Sequence, residues 1–186
     1  MPDVPATDSE DANWLDAGLG RGRHGSERTC LVTPQAKPRT IAIDLPGAGQ
    51  AAVTVVGPAI ARNDPAYYPS LVANSVLGGG YSARLSQEIR VKRGLSYGAG
   101  SSVSARRTTG AFSARAQTKN ESAPEVLSLI RAELRRLGEA AAGPEELKAR
   151  KSVLIGGFGR QLATSAGLAN ILGNLALYDV PLDELG

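Results

Sequence analysis

The chain has 186 residues, of which 42% are hydrophobic and 21% charged, and its net charge is +3. This composition is typical of one globular domain and excludes a disordered or collagen-like chain. A single cysteine, Cys30, excludes an internal disulfide framework and a cysteine-based zinc cluster, and a single histidine, His24, excludes any metal site that needs two histidines from this chain.

The first 38 residues show no sustained hydrophobic period, so we interpret residues 1–38 as a poorly ordered leader before a folded domain at 39–186. A nucleophilic pair of His24 and Cys30 would need a rigid frame, so we interpret the two as an exposed histidine and a small, partly buried thiol. The N-terminus has no basic stretch followed by an apolar one, and no apolar run approaches the ~20 residues of a membrane span. We therefore expect no signal peptide and no membrane contact, and a cytoplasmic location by default.

Two antiparallel strands are predicted at the start of the folded domain. Apolar residues alternate with small or polar ones over residues 40–45, which is the strand period. The glycine-containing segment 46–49 is a turn, and a second strand covers residues 50–56.

Two helices are predicted next. The first begins after Asp64, which we expect to be its N-cap, and ends at Gly78, Gly79 and Gly80. The second covers residues 83–92, where apolar side chains recur four positions apart.

A hairpin of two further strands, residues 95–105 and 110–119, falls in the most basic part of the chain. Residues 84–119 contain eight basic side chains and one acidic one, Glu88. We interpret this charge as a solvated surface, because nucleic-acid binding usually adds exposed aromatic residues and this window has only two. RNA binding is therefore the least favoured alternative, and no nucleic-acid partner is expected.

Three helices complete the chain. The first is predicted to begin with a capping box of Ser122 and Glu125 and to run to about residue 142. The others cover residues 144–161 and 164–178. The order of two strands, two helices, two strands and three helices predicts an α+β fold, an antiparallel-rich sheet with helices packed on one face.

The most specific motifs lie between residues 64 and 97. Leu-Gly-Gly-Gly stands at 77–80, Ser-Ala-Arg-Leu at 82–85, and Arg-x-x-Arg-Gly-Leu-x-Tyr at 90–97. Together they resemble the second, C-terminal domain of the M16 zinc peptidases, a family that includes insulinase, pitrilysin and the processing peptidases. The order of elements from residue 38 to 185 is similar as well, so the resemblance covers about four-fifths of the chain. It implies an M16 peptidase-like half-domain with the LuxS/metallopeptidase-like fold.

The resemblance also implies how such a domain would work. In that family two α+β domains face each other across a closed chamber, and the first carries zinc on an inverted His-x-x-Glu-His motif. The sequence contains no such motif. The resemblance therefore implies a non-metal half that binds no cofactor and is inactive alone. It implies zinc in a partner domain or subunit, and an unfolded peptide as the substrate.

The family's second domain often contributes an arginine and a tyrosine spaced as Arg-x-x-x-Tyr, which here correspond to Arg93 and Tyr97. The resemblance implies that both are catalytic, because a guanidinium and a phenol O–H can hold the oxyanion that forms when a peptide carbonyl is attacked. The residues alone also fit a surface arginine and a strand tyrosine.

The glycine run is the second feature that the resemblance marks. Gly78, Gly79 and Gly80 correspond to a glycine-rich segment that handles the substrate in processing-peptidase relatives, so we predict substrate binding there. A helix end with a tight turn would explain the same residues. A phosphate-binding loop would need a following lysine and threonine, which are missing.

Three hypotheses remain open from the sequence. The chain is the accessory half of a zinc metalloendopeptidase, a catalytically inactive relative with a structural or assembly role, or a truncated remnant. The family's second domain usually continues past the last helix seen here, so truncation at residue 186 is one interpretation. The sequence does not identify the natural substrate or the partner.

Overall fold

The computed structural model describes residues 38–185. The proposed leader, with His24 and Cys30, lies outside the described residues apart from residue 38.

The described domain is built on a three-stranded antiparallel sheet. Strand β1 is Ala51–Ala59, β2 is Ala99–Ser104 and β3 is Gly110–Thr118. Their order across the sheet is β1-β3-β2, so β3 is the central strand. Exposed and partly buried positions alternate along β1, as expected for a strand with one covered face.

The predicted strand at residues 40–45 is wrong. These residues form no strand, and Ile41 and Ile43 are 64% and 79% exposed. The chain does turn where expected, since the Ala48 N–H donates to the Leu45 carbonyl at 3.0 Å. However, β1 pairs with β3 from the later hairpin instead of with residues 40–45. An alternating pattern indicates a strand period but does not specify a pairing partner.

The helices follow the predicted order with small shifts at their ends. The prediction of Asp64 as the N-cap is wrong, because Ala66 occupies that position and no side chain caps the helix. Asp64 instead accepts the Ala66 N–H at 2.7 Å, which forms a turn just before the first helix. Ser122 makes no capping hydrogen bond, so the predicted capping box is absent. Thr164 does cap the last α-helix, accepting the Gly167 N–H at 3.0 Å. The helices are α1 Tyr67–Gly78, a π-helix Ser86–Lys92, α2 Ala123–Glu139, α3 Pro144–Leu162 and α4 Ser165–Leu177, and short 3₁₀ turns lie at Asn120–Ser122 and Leu182–Leu185.

The hydrophobic core lies between one face of the sheet and the helices. Helix α2 packs on β1 and β3, while α1 packs on β2. Burying each large aliphatic side chain contributes about 1.5–3 kcal/mol, so this layer is the main source of stability. The predicted α+β fold with helices on one face is confirmed. The fully or almost fully buried core residues are Leu77, Leu85, Ile89, Ala114, Ala116, Val126 and Ile130.

Candidate functional site

The site predicted from the sequence lies where the π-helix ends and the chain enters β2. Gly94 adopts a positive φ of 63°, a conformation that favours glycine, and its N–H donates to the Arg90 carbonyl at 3.0 Å. The Leu95 N–H donates to the Ile89 carbonyl at 2.9 Å. These two bonds close the helix and fix the direction in which the chain leaves it.

Tyr97 lies on a short loop that is tied to the sheet. The Ser96 hydroxyl donates to the Gly98 carbonyl at 2.7 Å, and Thr118 of β3 donates to the Leu95 carbonyl at 2.5 Å. The Tyr97 side chain is nevertheless 88% exposed. The backbone around Tyr97 is therefore held in place, while the Tyr97 side chain lies in solvent and does not pack in the core.

Arg93, the predicted partner of Tyr97, is held by carboxylates. Its Nη1 donates to Glu88 Oε2 at 2.6 Å, and its Nε lies 3.7 Å from Glu125 Oε1. Lys92 also contacts the Glu88 carboxylate. The hydrogen bonds from Lys92 and then Arg93 lower the pKa of Glu88 below its ordinary value, despite an opposing effect of burial. The guanidinium of Arg93 is therefore engaged within the domain.

Arg90 is the arginine that contacts Tyr97. Its guanidinium carbon lies 4.6 Å from the centre of the Tyr97 ring and 4.9 Å from that of Tyr81, both within cation–π range. Among residues 38–185, no carboxylate lies within 4.0 Å of the Arg90 guanidinium. Neither Arg90 nor Tyr81 is among the site residues predicted from the sequence. Arg90 belongs to the same motif as Arg93, and spacing alone does not choose between them.

The three predicted substrate-binding glycines lie in different environments. Gly78 is buried at the end of α1, and a Cβ there would lie 2.2 Å from the backbone nitrogen of Ser101 in β2. Gly79 is exposed, but a Cβ would lie 2.5 Å from Ser75 Cα. Gly80 is exposed, has a φ of 143° and has open space around it. Gly78 is therefore required for helix–sheet packing, and only Gly79 and Gly80 have surface to offer a ligand.

Ion pairs within the domain reduce the charge of the basic window. Four of its eight basic side chains pair with carboxylates of this chain: Arg84 with Glu146, Lys92 and Arg93 with Glu88, and Arg107 with Asp179. This pairing supports the interpretation of the window as a solvated surface.

A cavity of about 410 Å³ lies apart from these residues, between the start of α1 and the last 3₁₀ turn. Arg62 on its wall stacks on the Tyr67 ring at 4.0 Å and pairs with Glu184 at 3.0 Å. The cavity contains none of the predicted site residues. Its contacts fasten the end of the described chain to α1.

Within residues 38–185, no group of three or more His, Cys, Asp or Glu side chains is arranged to hold a metal ion. These residues therefore do not fit a zinc ion. No helix of the described region is both long and apolar enough to cross a bilayer.

The fold agrees with one family. Residues 8–154 match the family model described as the Peptidase M16 inactive domain. The chain therefore belongs to the M16 peptidase family, as its inactive, C-terminal type of domain. The match begins within residues 1–38.

Relatives of known sequence or structure agree with this assignment. An uncharacterized zinc protease of Streptomyces coelicolor is 34% identical over 128 residues, which are 69% of this chain and 28% of that protein. The crystal structure of an M16 inactive domain from Pseudomonas fluorescens superposes with a TM-score of 0.69 at 30% identity, over 74% of this chain and 33% of that one. A protease from Helicobacter pylori has the same fold, with a TM-score of 0.68 at 20% identity over 73% and 33% of the two chains. The chain thus spans about a third or less of each of these relatives.

Proposed function

We propose that the chain is the substrate-binding half of a zinc metalloendopeptidase, acting with a zinc-bearing M16-type domain or subunit. The observation that carries this proposal is the contact between the exposed Tyr97 ring and the partly buried Arg90 guanidinium, on a backbone that is held in place. Within residues 38–185 no carboxylate pairs with Arg90, so its N–H groups and the Tyr97 O–H can bind an external oxygen atom.

The chemistry assigned to the two side chains is the stabilisation of negative charge. When a peptide carbonyl is attacked, its oxygen becomes an oxyanion, and donors fixed in advance at that position lower the barrier. The Tyr97 phenol O–H and the Arg90 guanidinium N–H groups are such donors. The rigid fork of arginine suits it to binding a carbonyl or carboxylate oxygen.

Arg93 remains a predicted donor, but it can bind substrate only after its ion pair with Glu88 breaks. Its guanidinium would have to leave Glu88, whose pKa is lowered by the hydrogen bonds from Lys92 and then from Arg93. An approaching substrate carboxylate or oxyanion could replace Glu88, but only at the cost of an existing ion pair. The proposal therefore gives Arg90 the direct contact and Arg93 a supporting role through charge.

Zinc belongs to the partner in this proposal, because the described residues do not form a metal site. The ion there would polarise the substrate carbonyl and activate water. An extended peptide fits a site formed between two domains, and the open space around Gly80, which precedes Tyr81 in the chain, can hold a peptide backbone.

Reconstitution tests the proposal. The 186-residue chain would be purified alone and together with an M16-type chain that carries His-x-x-Glu-His from the same genome. Hydrolysis of a fluorogenic, unstructured peptide would be measured for each chain and for the pair. We expect a one-to-one complex whose hydrolysis exceeds that of either chain and stops when a chelator removes zinc. A complex without hydrolysis would instead support the structural or assembly role.

A further inference from the structure

We infer that Tyr81 is a positioning residue, whose ring holds the Arg90 guanidinium next to Tyr97. The inference rests on the proposed function, because it explains how one of the two donors is oriented. Tyr81 is 61% exposed, so burial does not explain its aromatic side chain. Its ring contacts Arg90, whose guanidinium carbon lies 4.9 Å from the ring centre.

The backbone on either side of Tyr81 is fixed. Its carbonyl accepts a hydrogen bond from Gln87 Nε2 at 3.1 Å, and the Ala83 N–H donates to the Gly80 carbonyl at 3.0 Å. The next carbonyl, that of Ser82, accepts a hydrogen bond from Arg150 of α3. The ring therefore starts from a backbone that is anchored to the π-helix and to α3.

Arg90 needs such support because its side chain is long. Holding a free arginine in one rotamer costs conformational entropy, and no carboxylate among residues 38–185 pairs with it. A cation–π contact at an exposed site favours the held rotamer by roughly two- to fivefold. With two rings in range, removing one should lower the ratio of held to released rotamers by about that factor while the other ring remains.

Two substitutions at Tyr81 distinguish this positioning role from a purely structural one. The aromatic ring is needed but the hydroxyl is not, so Tyr81→Phe should behave like the native chain and Tyr81→Leu should not. The fold should be the same in both variants, since the side chain is mostly in solvent.

The test follows the Arg90 side chain by nuclear magnetic resonance in the complete 186-residue chain. The Arg90 Nε–Hε signal would be assigned by its loss in Arg90→Lys. In the native chain, ring currents should shift this signal away from the position of an unstructured arginine. Tyr81→Leu should move it toward that position, and Tyr81→Phe should leave it in place. Tyr68→Leu is the matched control, because Tyr68 is also half exposed and stacks near a different arginine, Arg62.

An Arg90 signal that stays in place in a folded Tyr81→Leu chain would overturn the inference. Tyr81→Gln, which also removes the ring, provides the same measurement if the leucine variant does not fold. In the reconstituted pair, Tyr81→Leu should lower kcat by up to about two- to fivefold with KM unchanged. If the signal moves but kcat does not, the positioning stands and the proposed role of Arg90 fails.

Discussion

Replacing Gly78 by alanine separates packing from substrate binding in the glycine run. The added Cβ would lie 2.2 Å from the Ser101 nitrogen and 2.7 Å from the Gly100 carbonyl carbon, whereas ordinary contacts begin near 3.4 Å. Both neighbours are backbone atoms of the sheet region, so they cannot rotate away as a side chain could. Helix α1 would have to move from β2 by more than 1 Å.

The expected cost follows from these distances. Overpacking of this kind costs about 1–3 kcal/mol, and the gain in helix propensity from glycine to alanine is at most ~1 kcal/mol at a helix end. We expect a net loss of about 1–2 kcal/mol, and therefore a Tm lower by about 2–8 °C for a chain of this size.

Thermal unfolding followed by far-ultraviolet circular dichroism measures this loss. Gly159→Ala is the matched control, because Gly159 lies inside α3 with nothing within 4 Å of the added Cβ. That variant should be as stable as the native chain or more stable by up to ~1 kcal/mol. An unchanged Tm in Gly78→Ala would refute the conclusion that this glycine serves packing.

Two ion pairs give further predictions. The hydrogen bond from Arg84 lowers the pKa of Glu146, so the pair stabilises the fold above the unfolded pKa of about 4.3 and loses this contribution as pH falls through the lower, folded value. Glu146→Gln should therefore cost about 1–3 kcal/mol in urea unfolding at pH 7, and the difference from the native chain should shrink below about pH 4. Glu184→Gln removes the carboxylate from the nearly buried Arg62, so it should release the last turn and speed proteolysis near residue 184. Equal cleavage rates for the variant and native chains would contradict that prediction.

Much of the fold could be predicted from the sequence because local patterns determine most elements. Val126 and Ile130, four residues apart, are both fully buried on α2, as their helical spacing predicts. The helix predicted over residues 164–178 agrees with α4, which Thr164 caps by accepting the Gly167 N–H. These signals depend only on neighbouring residues.

The errors arise where distant contacts decide. The alternation at residues 40–45 is as regular as that of a strand, but β1 pairs with β3, some sixty residues away in sequence. The predicted capping box does not form, since the Ser122 side chain makes no capping hydrogen bond. The Glu125 carboxylate instead lies 3.7 Å from Arg93 Nε. Sequence patterns do not contain these competing partners.

The candidate site remains a prediction, and its local geometry could not be derived from the sequence. The pattern placed Tyr97 within a strand that begins at residue 95, whereas Tyr97 lies on a loop before β2, and it placed the glycines correctly at the end of α1. It could not distinguish Arg90 from Arg93, because the difference depends on the wider turn of the π-helix and on Glu88. It also could not show that Gly78 is buried, since that depends on how closely β2 approaches.

The central claim is that Tyr97 and Arg90 stabilise the oxyanion during hydrolysis by the partner's zinc. The most direct test is kcat of the reconstituted pair with Tyr97→Phe, Arg90→Ala and Arg93→Ala in this chain. The first two should each lower kcat by ~10²-fold, as loss of one oxyanion donor does, and Arg93→Ala should cost clearly less because Glu88 already engages its guanidinium. A pair that contains both Tyr97→Phe and Arg90→Ala and still hydrolyses peptide at the native rate would contradict the claim.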